Sequence, residues 1–347
     1  MRKWIWIVLI LALVGIAAAV AAVYYFFYWS PDCDSGYYPP EVQITTIPLA
    51  DPLDRRSAEV SGMDWYDDYL IILPQYFNFA VGRVLYAIPK ADLLAYLDDP
   101  NGEPLEAIHI SVDDEELEDS LHAFEGYESI AFSGNQVFLT IETSAKRQMQ
   151  GYLAVGELAP DMSKIVLDET HLQPIDLPLQ LFNSSDEAMF IADDHLITLY
   201  EANGAEVNSD PIANVYDLNR NSIGTIPFPP IEYRVTDATR LDEDNNFWVT
   251  NQFSVGSLEL RPEHDALADT YGVGCTHAHY LSVERLVEMH YDPQTGISLT
   301  DTPPIQIQLD GDLQFRNWEA IVRLDDKGFL IATDKYPGTV LAFIPYP

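Results

Sequence analysis

The sequence predicts an all-β protein, a five-bladed β-propeller preceded by one transmembrane helix. Three observations predict this class. A long segment without charged residues runs from Trp4 to Trp29, short strand-like segments separated by polar turns follow Glu41, and these segments repeat as one unit. The chain has 347 residues, of which 48% are hydrophobic. Because such a chain can bury a large core, disordered and small disulfide-rich classes are excluded.

The N-terminal segment predicts export. Arg2 and Lys3 precede the apolar run, which exceeds the roughly 20 residues needed to cross a bilayer core and ends in aromatic residues typical of a membrane interface. We predict a signal anchor over residues 1–29, a tether over 30–40 and the propeller over 41–347, with a cleaved signal peptide as the alternative. Since positive residues stay inside, the N-terminus is predicted to be cytoplasmic and the C-terminal domain extracytoplasmic, at the cell membrane.

The charge of the chain restricts its partners. Asp and Glu number 55 against 18 Lys and Arg, which gives a net charge of −37. Such a surface repels phosphate backbones and anionic lipid headgroups. We therefore expect no nucleic-acid partner, and contact with the membrane only through the N-terminal helix.

The repeat unit consists of a first strand, a polar turn and a second strand. The five copies begin at Val60, Tyr127, Asp186, Thr236 and Trp318. A third strand follows each copy and a fourth strand follows all but the last, while a strand from Glu41 to Leu49 has no partner in its own neighbourhood. An N-terminal strand that completes the last blade closes a propeller and removes its open edges. A pair of β-sandwiches, a β-helix or a six-bladed ring are the alternatives.

Two short segments have helical rather than strand character. Ala91–Leu97 and Val283–Met289 each predict a brief helix, although the second also overlaps a third strand of the repeat.

One column of the repeat carries oxygen-bearing side chains. It contains Ser61, Glu128, Glu187, Asp237 and Glu319. The first strands of a propeller line its channel, so these side chains are expected to form a ring. Carboxylates about 6 Å apart would repel by about 2.8 kcal/mol per pair, or about 17 kcal/mol in all, at an effective dielectric of about 20. This exceeds the stability of a typical domain, about 5–15 kcal/mol.

Protons or a cation must therefore neutralise the ring. Oxygen ligands without sulfur or nitrogen favour Ca²⁺, with Mg²⁺ second. Solvated acidic residues around a wet channel are the alternative.

Short motifs in these copies resemble a known family. VSGM at Val60, YESIAF at Tyr127, DEAMF at Asp186 and NWEAIVRL at Asn317 resemble signatures of the SdiA-regulated family of membrane-anchored five-bladed propellers with a central calcium. The ring order is also similar to calcium-activated nucleotidases (apyrases), and the C-terminal stretch to esterase-like phytase propellers. The resemblance implies Ca²⁺ ligation by the five ring residues. Asp237 departs from it because the family has Ser there, and Ala188 and Ala320 replace Gly.

Basic residues and cysteines complete the candidate site. Basic residues assigned to the channel face predict a site for an anion such as a phosphate ester, with structural pairing to acidic residues as the alternative. They are Arg55, Arg56, Arg147, Arg234, Arg316 and Lys335. An insertion over residues 254–282 is expected to cover the channel. Its Cys275 pairs with Cys33 if the chain is exported, and two free thiols are the alternative.

Together these features predict a membrane-anchored, extracytoplasmic Ca²⁺-binding propeller that binds an anionic small molecule or a protein partner on its channel face. A Ca²⁺-dependent hydrolase of phosphate esters or nucleotides is the alternative, and a purely structural metal is the third hypothesis. No catalytic residue is predicted, because the sequence lacks a G-x-S-x-G elbow, a P-loop and an H-E-x-x-H motif.

Overall fold

A computed structural model describes residues 14–16, 33, 36–114, 117, 120–168, 170–311 and 315–346. The chain divides into one unit over residues 1–38 and a second over 39–347. The predicted transmembrane segment Trp4–Trp29 lies almost entirely outside the described residues. Within the described ranges, no helix is both long and apolar enough to span a membrane.

The second unit is an all-β, propeller-like structure built from five copies of an antiparallel meander, here called meanders 1–5. Two short strands precede them, β1 (Glu41–Val42) and β2 (Thr45–Ile47). Meander 1 contains β3 (Val60–Tyr66), β4 (Tyr69–Pro74), β5 (Val84–Pro89), helix α1 (Lys90–Asp98) and β6 (Ile108–Asp113). Meander 2 contains β7 (Phe124–Ser133), β8 (Gln136–Ala145), β9 (Gln148–Leu158), β10 (Lys164–Leu167) and the short β11 (Gln173–Ile175).

The remaining meanders follow the same plan. Meander 3 contains β12 (Asp186–Ala192), β13 (His195–Tyr200), β14 (Ile212–Asp217) and β15 (Ser222–Pro227). Meander 4 contains β16 (Arg234–Ala238), β17 (Asn246–Phe253), β18 (Val283–Asp292), β19 (Gly296–Leu299) and β20 (Ile305–Ile307). Its insertion carries helices α2 (Ala266–Tyr271) and α3 (Cys275–His279). Meander 5 contains β21 (Trp318–Leu324), β22 (Gly328–Thr333) and β23 (Leu341–Pro345).

The first strands of the meanders lie side by side in a closed order. β3 contacts β7, β7 contacts β12, β12 contacts β16, β16 contacts β21, and β21 contacts β3. A separate apolar cluster fills the space between each neighbouring pair of meanders. Successive side chains of an inner strand point to its two opposite faces. The apolar side chains on both faces are therefore buried between neighbouring meanders.

The N-terminal strand closes this order, as the sequence predicts, but it does so in two pieces. β2 pairs antiparallel with β23, with Thr46 opposite Ala342. β1 instead pairs in parallel with β20 of meander 4, with Glu41 opposite Gln306. The single predicted strand from Glu41 to Leu49 thus serves two sheets.

The two predicted helices have different outcomes. Helix α1 confirms the prediction over Ala91–Leu97. The prediction over Val283–Met289 is wrong, because these residues form the first seven of the ten residues of β18. They pair along their whole length with β17, from Phe253–Val283 to Phe247–Met289. The charged residues of this segment have helical spacing, but its pairing with β17 in the folded sheet makes it a strand.

Closure by β2 is testable by substitution. Ile47 is 1% exposed and packs in the cluster between meanders 5 and 1, so Ile47→Ala should lower the free energy of unfolding by about 2–5 kcal/mol. Thr45→Ala, at an exposed site of the same strand, should change it by less than about 0.5 kcal/mol. Equal effects of the two substitutions in denaturant unfolding would show that β2 does not stabilise the closure.

The cysteines provide a second test. Cys33 and Cys275 are both disulfide-bonded, and the described residues contain no free cysteine. Their pairing with each other stays a prediction. Peptide mapping without reductant should recover one linked pair of peptides that separates on reduction, whereas alkylation of both thiols in the native protein would contradict the pairing.

Candidate functional site

The predicted column coincides with a break in four of the inner ladders. The register shifts between Val60 and Gly62, and the same shift recurs around Glu128, Glu187 and Glu319. A residue at such a bulge is left out of the ladder and its side chain is re-aimed. Ser61, Glu128, Glu187 and Glu319 accordingly line one cavity at the end of the channel.

Meander 4 is the exception. The prediction that Asp237 belongs to the column is wrong, because the equivalent position in β16 lies one residue earlier. The bulge in β16 contains both Thr236 and Asp237. Thr236 Oγ1 donates a hydrogen bond to the Trp318 carbonyl (2.5 Å), as Ser61 Oγ does to the Tyr127 carbonyl (2.6 Å). Thr236 is therefore the equivalent of Ser61.

Asp237 instead has a structural role between two meanders. It is 2% exposed, and its Oδ2 accepts a hydrogen bond from the Ile321 amide at 2.8 Å. Burial raises its pKa well above the usual value, although this hydrogen bond opposes the shift. Asp237 does not line the cavity.

A second set of polar residues lies beside the column and was not predicted. Each member lies in the last four residues of a second strand or directly after it, opposite the residue that lies two positions before the bulge. The set comprises Gln75, Glu142, Glu201, Gln252 and Asp334. The sequence contains a signal for three of these residues, which is a polar residue directly after an apolar segment. They are Gln75 in ILPQ, Glu142 in FLTIE and Glu201 in TLYE.

Arg234 lies among the carboxyl groups of both sets. Its Nη2 donates to the two oxygens of Glu187 at 2.9 and 3.1 Å, and its Nη1 lies 3.3 Å from Glu319 Oε1. Its Nε donates to Glu201 Oε2. The side chain is 17% exposed. One guanidinium therefore supplies positive charge to three largely buried carboxyl groups.

Burial favours the protonated form of the carboxyl groups in this cluster. It raises the pKa of Glu319 to about 8 against the opposing effect of Arg234. Burial and the charge of Glu201 raise the pKa of Glu142 to about 7. The pKa of Glu128 is raised well above its usual value by burial and by Glu142. Protons on these groups therefore reduce the negative charge that Arg234 has to compensate.

The residues present do not fit the predicted calcium ring. The guanidinium of Arg234 lies among the carboxyl groups that the metal would need, and Asp237 is turned away from them. Among the described residues, no group of three or more His, Cys, Asp or Glu side chains has an arrangement that could hold a metal ion. Calcium binding by this chain stays a prediction from the sequence.

The cavity above the cluster has a volume of about 570 Å³. This lies within the range of about 300–1,000 Å³ that is usual for small-molecule sites. Ser254, Val255 and Gly256, the first residues of the insertion, form part of its wall, and Phe315 and Tyr336 add aromatic surface. That the rest of the insertion covers the channel stays a prediction.

The basic residues predicted to bind an anion do not converge. Of these six basic residues, Arg234 and Lys335 line the cavity in the described part of the chain, and each of the six has a partner. Arg55 pairs with Asp51, Arg56 with the Lys335 carbonyl and the Tyr336 ring, Arg147 with the Phe182 ring, Arg316 with Glu284, and Lys335 with Glu59. The alternative interpretation, structural pairing, describes them better.

Comparison with known proteins supports the fold alone. No protein-family profile matches the sequence, and no curated protein matches it. The resemblance to the SdiA-regulated family therefore stays a prediction.

Solved structures with a similar fold include several glycoside hydrolases. The GH43 β-xylosidase/α-arabinofuranosidase CoXyl43 from a compost metagenome is 9% identical with a TM-score of 0.46, over 87% of this chain and 94% of that one. The GH32 β-fructofuranosidase BmSUC1 of Bombyx mori is 11% identical with a TM-score of 0.45, over 84% and 62%. An exo-1,5-α-L-arabinanase from a bovine ruminal library is 7% identical with a TM-score of 0.42, over 88% and 95%.

The geometry of the cavity corrects the predicted function. The sequence led us to expect calcium-dependent binding of a ligand, or hydrolysis of phosphate esters or nucleotides. The basic residues that a phosphate would need are separated and paired, and the cavity is instead lined mainly by carboxyl groups among its charged residues.

Removal of the central cation should destabilise the protein. Arg234→Gln leaves Glu187, Glu201 and Glu319 without their counter-ion, so we expect a loss of about 3–5 kcal/mol in the free energy of unfolding at pH 8. The loss should shrink toward pH 5, because carboxyl groups with raised pKa values are then protonated. Arg261→Gln, at an exposed arginine, is the matched control. A pH-independent loss, or equal losses in both variants, would contradict the assignment.

Proposed function

We propose that the protein hydrolyses glycosidic bonds in the channel cavity, with Glu142 as the general acid and Glu187 as the carboxylate. The observation that carries the proposal is that two carboxyl groups of different environment line one cavity, since Glu187 is bonded through both oxygens to Arg234 and Glu142 forms no ion pair with the described residues. Glycosidic hydrolysis requires two such groups, since one carboxyl group protonates the leaving oxygen and another acts as base or nucleophile.

Glu142 has the properties of the acid. Its side chain lines the cavity, and the residue is 4% exposed. A pKa of about 7, caused first by burial and opposed by a hydrogen bond to Ser185, retains the proton on about half of the molecules at neutral pH. A carboxyl group with a raised pKa that lines the cavity is suited to donate that proton to a substrate oxygen.

Glu187 has the properties of the carboxylate. Two hydrogen bonds from Arg234 Nη2 fix its orientation. Burial raises its pKa well above the usual value, and the guanidinium, the largest opposing influence, favours the ionised form. We infer that Glu187 ionises when the developing positive charge of the substrate adds to that of Arg234. Positive charge that develops on the sugar ring in the transition state would be stabilised by this carboxylate. Arg234 is then a positioning residue that also limits the net charge of the site.

The walls of the cavity are compatible with a sugar. Tyr336 is 50% exposed, and it lines the cavity together with Phe315. Aromatic faces bind the apolar side of a planar substrate while polar groups fix its orientation. A Ser–His or Cys–His nucleophile does not line this cavity among the described residues, which leaves carboxyl chemistry as the reactive capacity of the site.

The proposal is tested by a panel of p-nitrophenyl glycosides and natural oligosaccharides. Glu142→Gln and Glu187→Gln should each lower kcat by about 100-fold or more, because each removes a proton-transfer or charge-stabilising group. An activated leaving group should restore part of the activity of Glu142→Gln, since it needs less protonation. Glu106→Gln, at an exposed carboxylate, should retain full activity.

Two results would reject the proposal. One is a folded protein that hydrolyses none of the glycosides. The other is activity that survives in both cavity variants, which would place the reaction elsewhere.

We also infer that the meanders form five blades of one ring and that the cavity faces the extracytoplasmic side. The closed order of β3, β7, β12, β16 and β21 and the apolar cluster between each pair of meanders support the blade number. The extracytoplasmic location rests on Arg2, Lys3 and the apolar run in the sequence.

A further inference from the structure

We propose that Glu319 is a specificity-determining residue of the cavity and donates a hydrogen bond from Oε2 to a hydroxyl oxygen of a neutral sugar. The inference rests on the proposed function and names the substrate class for the same site. It is carried by the unequal use of the two oxygens of this carboxyl group, whose residue is 8% exposed and lines the cavity.

All polar contacts that the described residues make with the Glu319 carboxyl group go to Oε1. Asn317 Nδ2 and Gln252 Nε2 donate hydrogen bonds to this oxygen, the second at 3.5 Å. Arg234 Nη1 lies 3.3 Å from the same oxygen. Within the described part of the chain, Oε2 has neither a hydrogen bond nor an ion pair. A buried carboxyl oxygen without a partner costs free energy, and a ligand in the cavity can supply the missing partner.

The two amide donors are held in place by their other hydrogen bonds. Gln252 is 1% exposed, and its Oε1 accepts a hydrogen bond of 2.8 Å from the Trp318 amide. Its Nε2 also donates to Asn317 Oδ1 at 3.1 Å, and the Asn317 backbone amide donates to the Tyr336 carbonyl at 3.1 Å. Because these contacts keep the side-chain N–H groups directed at Oε1, that oxygen of Glu319 is fixed as the acceptor.

The other oxygen is then the one that carries the proton. A carboxylic acid accepts through one oxygen and has an O–H donor on the other. The single charge of Arg234 is shared among three carboxyl groups, since its guanidinium also pairs with Glu187 and Glu201. Burial raises the pKa of Glu319 to about 8, and the charges of Asp334 and Glu201 act in the same direction. Oε2 is therefore an O–H donor that is available to a ligand at neutral pH.

A free O–H donor selects among sugars. A hydroxyl oxygen can accept this hydrogen bond, whereas an ammonium group has only donors. A carboxylated sugar would bring a further negative charge to a cavity that is lined by six acidic and two basic residues. The donor therefore favours a neutral sugar that has a hydroxyl group at the position next to Glu319.

The test removes the hydrogen bond from each side in turn. Monodeoxy analogues are compared with the p-nitrophenyl glycoside that the full-length protein hydrolyses fastest. We expect one analogue to lose about 10- to 100-fold in kcat/KM, the range that an unsatisfied buried polar group corresponds to. Glu319→Met should lower kcat/KM for the parent glycoside by a similar factor, with no further loss for that analogue, because both changes delete the same contact. Glu106→Met, at an exposed carboxylate, is the matched control.

Rescue by an amide separates donation from a structural role. Glu319→Gln keeps a carbonyl for the donors at Oε1 and places an NH₂ donor where Oε2 lies, so it should recover kcat/KM to within about 5-fold of the native protein. If Glu319 acted as a carboxylate, the same substitution would cost about 100-fold or more, and that result would overturn the inference. If circular dichroism shows that Glu319→Met is unfolded, the loss for the deoxy analogue is measured in Glu319→Gln. It should persist there at about 10-fold or more, and its absence would overturn the inference.

The outcomes separate this inference from the proposed function. Equal kcat/KM values for the parent and every monodeoxy analogue overturn the donor inference, whereas the hydrolysis itself still supports the proposed function. If no glycoside is hydrolysed, isothermal titration calorimetry with glucose, galactose, xylose and arabinose replaces the kinetic measurement. Binding that Glu319→Met weakens at least about 10-fold and Glu319→Gln restores then supports the donor and rejects the hydrolase. Failure to bind any of these sugars overturns both.

Discussion

The site depends on one electrostatic constraint, which is that several carboxyl groups cannot be buried together in their ionised form. The fold brings Glu128, Glu142, Glu187, Glu201 and Glu319 together at one end of the channel. Burial is the largest cause of the raised pKa values of Glu128, Glu142, Glu187 and Glu319. The guanidinium of Arg234 compensates part of the charge, and protons on the other groups compensate the rest. The repulsion that would oppose folding is thereby relieved, and the site contains protonated carboxyl groups beside the carboxyl group that Arg234 holds.

This arrangement follows from a local irregularity of the backbone. A regular inner strand would point alternate side chains into the apolar clusters on either side. The bulges at Ser61, Glu128, Glu187 and Glu319 remove these residues from the ladder and turn them to the cavity. The ends of the second strands then add Glu142 and Glu201 beside them. Sheet geometry alone therefore places side chains from distant parts of the chain within one site.

Much of the architecture could be predicted from the sequence, because strand repeats leave a regular pattern. The repeat located all five inner strands and the N-terminal strand that pairs with β23. The spacing of the repeat predicted the wrong residue in β16. The bulge of this strand contains two residues, so that Thr236 rather than Asp237 occupies the column. Arg234 was assigned to the channel face, but its partners could not be predicted. They come from β12, from the end of β13 and from β21, and only the register of the assembled sheets brings them together.

The two-part N-terminal strand has a mechanical consequence. β1 lies on the outer edge of meander 4 and β2 on that of meander 5, so the few residues around Gln43 bridge the junction at which the ring begins and ends. Separation of these two sheets would have to break at least one of the two pairings. A force applied to the start of this segment would act on both sheets, so that it would be divided between the two pairings.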